Sequence, residues 1–241
     1  MNLNKLFLTK NDCYKAGKKI NVKGIMVHST GANNPWLKRY LPDDGKIGKN
    51  TGNNHWDTAK PGGIKVCVHG FIGKLANGTV ATYQTLPWNH RGWHAGGSAN
   101  DTHIGFEICE DGLNDTTYFN AVYKEAVELC AYLCKEYGLT EKNIICHSEG
   151  YKKGIASNHA DVMHWFPKHG KSMDTFRADV KKLLDASKKP VELTTVNDIV
   201  WELSHRGIIS DTALWLKKLE EDQNSYWLAR KTVKYLMENK M

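Results

Sequence analysis

Short apolar runs of strand character alternate with helix-like stretches along the first three-quarters of this 241-residue chain, and that alternation sets the fold class. Residues 24–30 (GIMVHST) form a compact apolar run that ends in polar residues, as a buried strand does. Residues 64–73 (IKVCVHGFIG) and 79–86 (TVATYQTL) flank the turn Ala76-Asn77-Gly78 and predict a strand pair. Residues 103–111 (HIGFEICED) predict another buried strand, and 143–149 (NIICHSE) a strand end running into a loop. Between them, Phe119, Val122, Tyr123, Ala126, Val127, Cys130, Leu133 and Cys134 recur at helical spacing over 116–137, and Gly138 closes the helix. A further helix is expected over 173–186, and the Gly/Asn/Asp-rich stretch 31–63 reads as a long loop with one short helix near 35–41. The pattern predicts an α/β domain over residues 1–188. The segment Ser187-Lys188-Lys189-Pro190 reads as a linker into a small all-α domain, residues 189–241, whose three amphipathic helices start near Thr195, Asp211 and Ser225.

Hydrophobic residues make up 41% of the chain and charged residues 24%, enough for a core of useful size. No apolar run approaches the ~20 residues that span a bilayer. The start of the chain, broken by Lys10, Asn11 and Asp12, lacks the apolar stretch of a secretory signal peptide. The net charge is +7, and it is uneven. Residues 190–241 hold seven basic and eight acidic side chains, so the excess lies on the larger domain and favours an acidic partner there. Nucleic acid, teichoic acid and an anionic glycan all satisfy that charge. The six cysteines, Cys13, Cys67, Cys109, Cys130, Cys134 and Cys146, show no Cys-x-x-Cys pair and are too sparse for a disulfide scaffold; they read as small buried hydrophobes.

The placement of the eleven histidines carries more information than their number. His28 and His147 each end an apolar strand (Met-Val-His, Ile-Ile-Cys-His), and each is followed by Ser. His159 and Asp161 lie close together in the loop Ser157-Asn158-His159-Ala160-Asp161. A strand end is a rigid place from which to project a ligand. Two imidazoles and a carboxylate with one open position describe a catalytic zinc site. A histidine at a strand end is more often a hydrogen-bonded structural residue, so on spacing alone both readings stand.

The pieces VHST, NGTV, RGWHAGG, NDTHIGFEICED, CHSEG and SNHAD fall in one order over residues 20–185, and together they resemble the amidase-2 family of N-acetylmuramoyl-L-alanine amidases, which includes T7 lysozyme-like phage enzymes and peptidoglycan recognition proteins. The resemblance implies a mixed central sheet flanked by helices with one Zn2+ in an open groove. It assigns His28, His147 and Asp161 as metal ligands, with His159, where relatives carry a Lys, as the rival for the third place and otherwise as the residue that stabilises the oxyanion. Glu107 falls at the family's catalytic glutamate; a tyrosine used by some relatives is Val68 here, which leaves the proton work to Glu107. His94, Trp93 and Asn34 are expected to touch substrate, although His94 reads equally as a structural loop residue and Trp93 as packing. His69 is expected to be structural; His164 and Trp165, after the metal loop, are placed to shape the groove, with packing the favoured reading.

The implied activity is zinc-dependent hydrolysis of the bond between N-acetylmuramic acid and L-alanine in bacterial peptidoglycan, as in a phage or prophage endolysin made in the host cytoplasm without a signal peptide and acting at the wall after release. The rival is a peptidoglycan-binding protein without catalysis. The aromatic-rich tail, with Trp201, Trp215, Tyr226, Trp227 and Tyr235, reads as a binder of wall carbohydrate or teichoic acid, as a dimerisation element, or simply as the core of a small bundle. Its slight acidity speaks against nucleic acid.

Overall fold

The computed structural model describes residues 1–186 and 195–238; the expected linker at 187–190 lies outside them. The chain divides into two compact units, Met1–Asp185 and Ala186–Met241.

The larger unit runs β1 (Leu3–Lys5), α1 (Asp12–Ala16), β2 (Gly24–Ser29), β3 (Gly70–Lys74), β4 (Val80–Gln84), β5 (His103–Ile108), α2 (Thr116–Tyr137), β6 (Ile144–Cys146), α3 (His147–Lys152) and α4 (Met173–Ala186). The six strands form one mixed sheet in the order β1-β4-β3-β5-β2-β6. Strands β3, β5, β2 and β6 are parallel, and β4 runs antiparallel to β3.

Strand alternation sorts the side chains. Ile25, Val27, Ile104, Phe106, Ile108 and Ile144 turn to one face and bury against α2 and α4, where Phe119, Val122, Ala126, Phe176 and Val180 meet them. Helix α2 forms where its periodicity predicts. Asp115 caps its first turn by accepting from the Tyr118 amide, and Gly138 closes it at φ 63°. Phe119 is fully buried between Trp165, Phe166 and Tyr123. Phe119→Ala is therefore expected to destabilise this unit by about 3–5 kcal/mol in urea unfolding; a loss under about 1 kcal/mol would show that the sheet–helix interface repacks freely.

Two expected elements differ. The run 64–73 forms a strand only from Gly70. Ahead of it, the Cys67 backbone bonds both ways with Trp93, His69 N–H donates to the Gly105 carbonyl at 2.7 Å, and the His69 carbonyl accepts from Thr85 just past β4, so this stretch is held by a loop and by β5 as well as by the end of the β4 segment. The segment after Cys146 is a helix, not a loop: α3 begins at His147, where Glu149 reaches back to the Cys146 amide and itself pairs with Arg177.

The smaller unit is three helices, α5 (Val196–His205), α6 (Thr212–Glu221) and α7 (Gln223–Glu238). Thr195 and Asp198 form a capping box on α5, Asp211 caps α6, and Ser225 sits in the first turn of α7. Ile199, Leu203, Leu219 and Val233 make its core, with Trp215 and Tyr226 packed against it. Trp201 and Trp227 point outward, 61% and 47% exposed.

Candidate metal centre and catalytic cleft

The sheet register places the chemistry. Glu107 on β5 lies directly opposite His28 on β2, and Cys146 on β6 lies opposite Val27, so His147 follows at the level of His28. Three parallel strands thus deliver Glu107, His28 and His147 side by side at their carboxyl ends, the usual location of a site in such a sheet. All three line one open cleft of about 700 Å3, and Asp161 and His159 enter it from the loop after α3.

His28 and His147 are buried, and Asp161 is nearly so. His28 Nδ1 lies 3.1 Å from both His147 Nδ1 and Asp161 Oδ2, and His147 Nδ1 lies 3.7 Å from the same carboxylate oxygen. Ligands about 2.0–2.1 Å from a tetrahedral zinc stand about 3.3 Å apart, so this triangle has the right size. The hydrogens point the same way. Ser157 Oγ donates to the Ala95 carbonyl and so accepts from His147 Nε2–H at 3.3 Å, which leaves His147 Nδ1 as a bare lone pair. Burial and the neighbouring His28 pull His147 down to about 4, so it is neutral near pH 7. Burial pushes the Asp161 carboxyl up, but the adjoining His28 and His147 imidazoles outweigh it and hold it below the usual range. Several acceptors around one point need a positive charge between them. A proton bridges two of them, whereas a metal cation serves all three. His28, His147 and Asp161 are the group among the described residues whose ligand atoms converge in this way.

His159 does not join that triangle. It is exposed, its ring lies 4.6 Å from that of His147, and its Nδ1 is 3.1 Å from Ser157 Oγ. Glu107 stands beside the triangle with Oε2 buried and without a protein partner. Burial, then the charges of Asp161 and Glu110, push its carboxyl well above the usual range. An orphaned carboxylate oxygen facing a cleft is a group placed to exchange a proton with whatever enters.

The N-acetylmuramoyl-L-alanine amidase model named Amidase_2 matches residues 18–165, the stretch that contains every residue of this cleft. The chain belongs to this amidase family. XlyA, an N-acetylmuramoyl-L-alanine amidase of Bacillus subtilis (strain 168), is 40% identical over 68 residues, 27% of this chain and 22% of XlyA, so the match spans about a fifth of that relative. The fold is shared with solved structures: the XlyA catalytic domain (TM-score 0.54, 22% identity, 75% of this chain and 99% of that one) and the hydrolase AmiA of Staphylococcus aureus (TM-score 0.53, 18% identity, 76% and 82%).

Within this amidase frame the remaining expected residues separate. Trp93 is 39% exposed at the cleft wall, with Lys65 and Arg91 against its ring. Asn34 does not line the cleft. Its Oδ1 accepts from the Trp36 amide, and it borders a separate small pocket beside Lys38 and Lys49, because the chain leaves the cleft after Gly31. His94 reaches the cleft, yet both ring nitrogens are engaged by protein: Nδ1 lies 2.9 Å from His28 Nε2, and Nε2 donates to the His103 carbonyl at 3.1 Å. It therefore has no hydrogen bond left for substrate.

Val68 is core, His69 is fully buried and held down to about 4 by desolvation, and Trp165 packs against Phe119. His164 instead faces the cleft and donates from Nε2 to buried Glu110 at 2.9 Å. Glu110 and Ser157 were not singled out from sequence. An acid closing an apolar run (Ile108-Cys109-Glu110) and a serine two residues from His159 were the available signals.

Proposed function

We propose that this chain is a zinc-dependent amidase that cleaves the bond between the lactyl group of N-acetylmuramic acid and L-alanine in peptidoglycan. The observation that carries this reading is the His28, His147 and Asp161 triangle set beside the orphaned Glu107 oxygen in one cleft. His28, His147 and Asp161 would hold a zinc ion, which would supply Lewis-acid polarisation of the amide carbonyl and acidify water. Glu107 takes the proton of the attacking water and passes it to the leaving alanine nitrogen. A carboxyl whose proton affinity is raised suits both halves of that transfer. His159 stands at the exposed edge of the cleft, where it would stabilise the developing oxyanion. Trp93 offers its exposed face to sugar or peptide.

The bond is identified by its products. Incubating the protein with purified peptidoglycan is expected to expose new N-terminal alanine without new reducing ends; reducing ends alone would make the enzyme a glycosidase and overturn the assignment. A non-catalytic binder accounts for the cleft but gives no reason to bury an unpartnered Glu107 oxygen beside it.

The site of action on this reading is the bacterial cell wall. The outward Trp201 and Trp227 suit contact with wall carbohydrate. Full-length Trp201→Ala/Trp227→Ala protein is expected to sediment with walls several-fold less than the parent while hydrolysing soluble muramoyl peptide equally well. Equal sedimentation would remove the tail from wall binding.

A further inference from the structure

The stretch Arg91-Gly-Trp-His-Ala-Gly-Gly and the strand that follows it are built around the ring of His94. On β5, Gly105 shares the site face with Glu107, and a Cβ there would stand 2.4 Å from His94 Nδ1. A Cβ on Gly92 would stand 2.8 Å from His94 Cδ2. Two glycines therefore open the slot that the ring fills. Asn100 Oδ1 accepts from both the His94 and Ala95 amides, at 2.8 and 2.9 Å, and holds the backbone that carries the ring. His69 lies edge-on behind it, 5.9 Å between centroids.

The hydrogen bonds then have one direction. A carbonyl only accepts, so His94 Nε2, facing the His103 oxygen, carries a proton. In the neutral ring Nδ1 is then the acceptor, and it lies 2.9 Å from His28 Nε2, which must donate to it. His28 thus carries its proton on Nε2 and turns a bare Nδ1 into the triangle with His147 and Asp161.

We propose that His94 is a positioning residue for the metal, setting the tautomer and ring orientation of His28 through the chain from the His103 carbonyl. The inference rests on the metal reading given above. A histidine ligand held in this way binds tighter because the proton is already on the far nitrogen and the ring does not rotate. The slot explains why a glycine stands two residues before Glu107 on an otherwise apolar strand.

The test is competition titration of Zn2+ into metal-stripped, full-length protein against a chromophoric chelator, with far-UV circular dichroism to verify folding. His94→Phe keeps a ring and removes both nitrogens; it is expected to weaken zinc about 10–100-fold, as loss of an outer partner does. Gly105→Ala leaves His94 in the chain but drives it from the slot, and a loss of similar size is expected. His94→Asn places Oδ1 where Nδ1 stood and is expected to recover most of the affinity. Folded His94→Phe or Gly105→Ala protein that holds zinc as tightly as the parent would overturn the proposal, as would an Asn variant no better than Phe. A parent chain that takes up no zinc would instead overturn the metal reading itself.

Discussion

Glu107→Gln is expected to keep the metal and to lower turnover by roughly 10²–10⁴-fold, the range attributed to a general acid–base group. The amide fills the same space but can neither accept a proton from water nor return one to the leaving nitrogen. In the metal-free protein the same substitution should raise stability at neutral pH. Glu107 is half-buried, with Oε2 shut off from solvent and Asp161 and Glu110 nearby, so its carboxyl is pushed above the usual range in the folded state. The folded protein then binds the proton more tightly than the unfolded chain. Between the unfolded value, about 4.3, and the raised folded value, stability falls as pH rises. Glu107→Gln removes that loss, so the two proteins should unfold alike near pH 4 and diverge toward pH 7, with the variant ahead. Urea unfolding of stripped protein at several pH values measures this. A variant less stable than the parent at pH 7 would mean that the Glu107 oxygen has a favourable partner.

The second large effect separates Asp161 from His159. Asp161→Ala removes a carboxylate oxygen 3.1 Å from His28 Nδ1 and the triangle's negative charge. It is expected to weaken zinc by more than the roughly 10–100-fold typical of outer partners, and to abolish hydrolysis with it. His159→Ala should leave zinc near one equivalent and lower turnover by roughly 10²–10³-fold, the size of one lost oxyanion donor. If zinc falls away from His159→Ala and stays on Asp161→Ala, the two roles are reversed. Metal content by mass spectrometry of the gel-filtered variants decides between them.

Helix α2 was legible in the sequence because its apolar spacing, its Asp115 cap and its Gly138 stop agree with one another. The strands ending at His28 and His147 were legible because both are continuous apolar runs. Tertiary partners decided the rest. Residues 64–69 carry strand-like composition, but their backbone groups pair with Trp93 and Gly105, so the strand starts late. The turn of the chain into α3 depends on Glu149 reaching the Cys146 amide and on Arg177 holding Glu149, a contact 28 residues away in sequence. The metal triangle rests on Asp161, which the sequence placed only through a family pattern; the fold returns its loop to β2, 133 residues away. Asn34 stands close to His28 in sequence but outside the cleft, and His94 lines the cleft with both ring nitrogens held by His28 and the His103 carbonyl. Proximity along the chain and inclusion in a motif do not state which way a side chain faces.

The central claim is that one cation held by His28, His147 and Asp161 makes this cleft an amidase. The most direct measurement strips the protein with chelator, adds Zn2+ back in steps, and follows release of N-terminal alanine from peptidoglycan. The account predicts no release from stripped protein, a rise up to one equivalent and a plateau beyond it, with His28→Ala and His147→Ala inactive throughout. Equal release from stripped and zinc-loaded protein would contradict it.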